Sequence, residues 1–161
     1  MKIKRVYAVM YRSIVLMKRN MFRFFDVTLW PLILFLSITL FVDYLQKDTA
    51  VLGGVILGGI GWRAVYHMQI EFSQGYMDLY WSGMSGHFMV SPATLVEFIV
   101  GNVIVGVIKL TFVTGLYVLL AKLLFGYMFI NVNLILLGLF SLGIFGIILG
   151  LITLGVCFIF H

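Results

Sequence analysis

Residues 27–42 read VTLWPLILFLSITLFV, sixteen positions without a charge, and Tyr44 and Leu45 extend the run past Asp43. About 20 helical residues cross a ~30 Å hydrocarbon core, so 27–46 reads as a first membrane span. Pro31 falls in its opening turns, where a missing amide donor matters least.

The whole chain repeats this character. Of its 161 residues, 63% are hydrophobic and 11% charged, against roughly 45–50% and about 25% in soluble domains. A soluble domain of this size leaves about a third of its unfolded surface exposed, and eleven basic plus six acidic residues cannot cover that area. Lipid is therefore the expected solvent for most of the chain. A disordered tail is excluded by the same composition. A disulfide framework and a zinc module are excluded by the single cysteine, Cys157, which sits in an apolar run.

Upstream of the first span, charge is concentrated. Lys2, Lys4, Arg5, Arg12, Lys18, Arg19 and Arg23 are seven of the eleven basic residues. They lead directly into apolar sequence, which argues for a cytoplasmic anchor under the positive-inside rule and against nucleic acid as a partner. A secretory signal is not expected, because the apolar run starts late and no small-residue cleavage site follows. At 100° per residue, Ile3, Val6, Tyr7, Met10, Ile14, Met17 and Met21 share one stripe. Lys4, Arg5, Arg12, Arg19 and Arg23 lie opposite, so residues 2–24 read as an amphipathic helix whose basic face meets anionic lipid.

Downstream, Gln46-Lys47-Asp48-Thr49 reads as a polar turn and residues 50–70 as a second span. Gly54 and Gly58 have the spacing that permits close helix approach, with packing inside one molecule as the ordinary use. Residues 71–92 mix Glu71, Asp78 and several small polar residues with Tyr80, Trp81 and Phe88. No window there is apolar enough to cross, and the mixture suits an interface or docking surface. Residues 93–124 read as a third span, longer than the bilayer core requires, which must tilt, break or protrude. Asn131 and Asn133 mark a turn, and 134–160 reads as an uncharged fourth span. The chain ends at His161 without a hydrophilic tail, which reads as an interruption. The expected fold is all-α: an interfacial helix followed by four transmembrane helices.

Catalytic patterns are absent. There is no phosphate loop or dinucleotide fingerprint, and His67, His87 and His161 lack helix-spaced metal partners. No serine–histidine arrangement is recognisable, so neither enzyme activity nor a bound cofactor is expected of this chain. Ionisable groups inside spans are functional suspects because lipid penalises them. Lys109 lies mid-span, with Asn102 seven residues earlier on about the same face. The pair is a candidate path lining, or else Lys109 snorkels or packs on a partner helix. Arg63 and His67 are expected at the cytoplasmic interface, and Asp43 and Glu97 near span ends.

Taken in order, these segments resemble the N-terminal four-span portion of the transmembrane permease of type-2 ABC exporters, the ABC-2 permease family. The basic helix at 2–24 resembles that family's connecting helix, and Trp30-Pro31 its approach to the first span. Residues 71–92 resemble its cytoplasmic coupling region: Glu71, Gly75 and Asp78 match an acidic-Gly-acidic pattern. Ser91-Pro92 followed by Glu97-Phe98 and Gly101 matches the lead into a third span. The family usually has six spans, so the chain is either a fragment or has its second half encoded separately.

The resemblance implies a cell-membrane protein working with a separate ATPase that binds ATP and Mg, and two permease copies, identical or different, framing a path. The substrate class it implies is lipid-linked, polysaccharide-like or amphiphilic and drug-like. Tyr80, Trp81 and Phe88 would anchor the coupling segment, since aromatic residues dominate many interfaces. Two other classes compete: a four-span carrier driven by an ion gradient, which needs a carboxylate deep in a span, and a membrane assembly factor that transports nothing.

Overall fold

A computed structural model describes residues 3–45, 49–81, 83, 90, 94–126 and 132–159. Among them the chain is all-helical: α1 (Ile3–Arg19), α2 (Met21–Val27), α3 (Leu29–Leu45), α4 (Thr49–Trp81), α5 (Leu95–Phe125) and α6 (Val132–Ile159).

The breaks have local causes. Asn20 has extended backbone, and its side chain accepts from Phe22 N at 3.1 Å, so it ends α1 and caps α2. Pro31 has no amide to donate to Val27 four residues earlier, which accounts for the interruption between α2 and α3. Thr94 starts α5 with a reciprocal capping box: Glu97 N donates to Thr94 Oγ1 and Thr94 N to Glu97 Oε2. Gly126, at φ 60°, ends α5 in the left-handed conformation that glycine adopts without strain.

The segment expected to divide at residue 70 does not divide. α4 is one helix of 33 residues, about 50 Å long at ~1.5 Å per residue. It is the central element, flanked by α3, α5 and α6, while α1 packs on α5. Near the N-terminal half of α4, a core forms from Phe35, Ile56, Ile60, Val113, Tyr117 and neighbours. A second core, around Phe72, Leu79, Phe98, Val9 and Leu154, lies near its C-terminal half.

Three helical stretches are long and apolar enough to cross a membrane: Met21–Leu45, Leu95–Phe125 and Ile135–Cys157. The second of the four expected spans is not among them. Its glycines contribute no apolar side chain, and Arg63 and His67 interrupt its run. Their outer surfaces are built for lipid. Leu136, Leu137, Phe140, Ile148 and Ile152 of α6 are all exposed, a patch that water would not tolerate.

The close helix contact falls elsewhere than the Gly54–Gly58 spacing suggests. Among the described residues no atom of a neighbouring helix lies within 4 Å of a Cβ built at either position. Instead α6 brings Gly146 and Gly150 against α4. A Cβ at Gly146 would stand 2.8 Å from Val65 O, and one at Gly150 would overlap the Phe72 ring. On α1 the buried residues are Val6, Val9 and Ser13, whereas Ile3, Tyr7 and Met21 of the expected apolar stripe are exposed.

Candidate functional site: a buried polar spine on α4

Arg63, His67, Glu71, Gly75 and Asp78 follow one another at spacings of four, four, four and three, which keeps them on one stripe of α4. The stripe faces inward. Arg63 is 4% exposed, His67 1% and Glu71 4%.

Each level of the stripe meets a different element. Arg63 Nε donates to Tyr117 Oη of α5 at 3.3 Å, and Tyr117 Oη donates to Pro31 O of α3 at 2.8 Å. His67 packs edge-on against Tyr66, and among the described residues its Nε2 has no hydrogen-bond partner. Glu71 and Lys109 of α5 form a buried ion pair. Arg12 of α1 donates through Nη2 to Gly75 O at 3.2 Å. Arg23 of α2 grips Asp78 with two parallel bonds of 2.7 and 2.6 Å, the fork geometry that suits guanidinium to carboxylate.

Gly75 has a second role. A Cβ there would approach Asn102 Nδ2 to 2.9 Å, so glycine is what lets the Asn102 amide lie against α4. Asn102 is fully buried, and neither amide atom has a hydrogen-bond partner among the described residues. Unpaired buried amides are uncommon, because each forfeits its hydration. Arg12 shares this region, and burial pulls its pKa below the usual value while Asp78 opposes that shift.

The sequence-predicted residues therefore divide into groups. Glu71, Gly75 and Asp78 lie on the stripe, and Asn102 and Lys109 face it from α5. Tyr80 and Trp81 are exposed at the end of α4. Phe88, Ser91 and Pro92 lie outside the described residues. Of the basic face, Lys4 and Arg19 are exposed. Arg5, Arg12 and Arg23 turn inward instead, with Arg5 3.6 Å from Glu97. Arg63 and His67, expected at an interface, are buried within the bundle. The four-residue spacing from 63 to 75 was the signal that marks them.

The arrangement holds charge and hydrogen-bonding capacity in the interior of the helix bundle, linked at one end to the N-terminal helices. Among the described residues no cluster of metal-ligating side chains occurs.

No family model, curated protein or solved structure matches this chain. The fold and the spine therefore stand on their own chemistry.

Proposed function

We propose that this chain is a membrane-spanning permease subunit of an exporter, driven by a separate ATPase. The observation that carries the reading is the spine. α4 is continuous from the apolar core to Trp81, and its C-terminal half is fastened to α1 and α2 by Arg12 and Arg23. A push at the residues after Trp81 would be passed along α4 to α1 and α2 through the Arg12 and Arg23 contacts, and to α5 through Glu71 and Lys109.

In this reading residues 50–70 of α4 are the second of four spans, with Arg63 turned toward Tyr117 of α5. The N-terminus is cytoplasmic, α1 lies along the inner face of the cell membrane, and 71–92 meets the ATPase. The ATPase would hold ATP and Mg, and a second permease subunit would complete the path. The substrate would be lipid-linked, polysaccharide-like or amphiphilic and drug-like. The resemblance of Glu71-Gly75-Asp78 and Ser91-Pro92 to type-2 ABC exporters supports this assignment.

The test begins with the DNA flanking this coding region, where a reading frame with a phosphate-loop motif is expected. With that ATPase coexpressed, Trp81→Ala should lower substrate-stimulated hydrolysis at least tenfold while the complex still forms. Stimulation equal to the unsubstituted protein would overturn the assignment of Trp81.

One observation favours the gradient-driven carrier: Glu71 supplies the buried carboxylate that such a mechanism needs. Transport driven by a proton gradient without any ATPase would select that reading.

A further inference from the structure

α5 and α6 are joined through residues 126–131, a connection short enough to make them antiparallel neighbours. Both pack on α4, yet they hold a cavity of about 590 Å³ between them. That volume lies in the range of ~300–1,000 Å³ that ligand sites between helices occupy. Met68 of α4 is its floor. Residues 103–118 of α5 supply one wall and 136–147 of α6 the other. Gly115 and Gly143 line it, and among the described residues no atom of a neighbouring helix lies within 4 Å of a Cβ built at either. The described chain leaves this space unfilled.

The walls carry no charge. Their polar side chains are Thr111 and Thr114; the first donates to Val107 O at 2.8 Å, and the second has its hydroxyl fully covered. A sugar or phosphate placed here would give up its hydration with little in return. Shape restricts the occupant further. The α5 wall is about 22 Å long at ~1.5 Å per residue. Spread along it, 590 Å³ gives a mean cross-section of about 27 Å², enough for one alkyl chain. A helix, ~10 Å across with its side chains, has about three times that section, so a partner span would cover the mouth without entering. The mouth opens sideways: Val118, Leu136, Phe140 and Ile144 line the cavity and are also exposed. Both walls lie on helices long and apolar enough to cross a membrane, and what reaches such a mouth from the bilayer is hydrocarbon.

We propose that the α5–α6 cavity binds one linear hydrocarbon chain of a membrane amphiphile, with the chain lying lengthwise over Met68. A chain in the cavity touches protein on three sides, where a chain on an outer helix face touches it on one, and its dispersion contacts add along its length. The site is independent of the exporter reading, because it requires only that α5 and α6 lie in a bilayer.

The test uses the full chain in digitonin, a detergent whose rigid fused-ring body is too broad for the cavity. The probe is lysophosphatidylcholine carrying a diazirine at mid-chain, and label is mapped by mass spectrometry after irradiation. Label on the cavity-lining residues should saturate at one probe per chain, while label around the exposed Ile33 and Phe41 of α3 rises in proportion to the probe. Gly115→Leu with Gly143→Leu, which fills the cavity, should lower the affinity of the cavity for the probe roughly tenfold and leave α3 labelling unchanged. Proportional labelling of both regions in the unsubstituted protein would overturn the proposal whether or not the filled variant folds. So would saturable cavity label that is unchanged in a helical filled variant, or that a soluble oligosaccharide displaces. Absence of cavity label from a dimeric protein would assign the mouth to a second copy and overturn it as well.

Discussion

Lys109 and Glu71 illustrate how a buried pair differs from a surface one. Both side chains are less than a tenth exposed, so each relies on the other to offset its lost hydration. Removing one partner from a buried pair destabilises by about 3–5 kcal/mol, whereas replacing both by neutral groups of similar volume is often close to neutral. Lys109→Met, which leaves Glu71 buried and alone, should therefore lower the unfolding midpoint in detergent sharply. Glu71→Gln combined with Lys109→Met should recover most of that loss. Thermal unfolding followed by circular dichroism measures both, and additive losses would show that the pair contributes nothing as a pair. Asn102 belongs to the same scale. Its contact with Gly75 leaves no room for a methyl group, which gives Gly75 a packing role beside the one that its resemblance suggests.

Among the elements, α4 and α6 depend on the absence of side chains. Gly146 and Gly150 bring α6 onto Val65 and Phe72, and packing of this kind is what holds helices together where lipid removes the hydrophobic drive. Gly150→Leu should push α6 away and destabilise by about 1–3 kcal/mol, in line with overpacking elsewhere. Gly54→Leu, at an open position, should change stability by less than about 0.5 kcal/mol, as surface substitutions usually do. Equal effects at the two sites, measured by the same unfolding assay, would refute this picture of the α4–α6 contact.

The elements also show what the sequence made legible. Long apolar runs gave α5 and α6 to within two residues at each end, because burial in lipid needs nothing beyond length and apolarity. The continuity of α4 through residue 70 was not legible. Composition changes there but helical hydrogen bonding does not, and the polar residues beyond 70 find partners on α1, α2 and α5. The Gly54–Gly58 spacing pointed to contact where none occurs, since spacing says that a helix can be approached but not from which side. Lys109 and Asn102 stood out because lipid penalises them. Their relation to Glu71 and Gly75 is tertiary, across 38 and 27 positions of chain, and no local pattern carries it.

At the scale of the molecule, everything turns on α4. It lacks the apolarity of the other long helices, yet it occupies the centre of the bundle and carries the polar spine on its inner face. An inward polar stripe is how ionisable residues are accommodated in membrane helices. If α4 crosses the bilayer, then α1, α2 and the end of α4 at Trp81 share one side, as the Arg23–Asp78 fork requires. The end of α3 and the start of α4 lie on the other. The deciding measurement is labelling by a membrane-impermeant maleimide in sealed vesicles, with single cysteines at Tyr11, Tyr44 and Trp81 in a Cys157→Ser background. The account predicts that Tyr11→Cys and Trp81→Cys label from the same face and Tyr44→Cys from the opposite one. Labelling of Trp81→Cys together with Tyr44→Cys would leave α4 outside the bilayer and contradict the account.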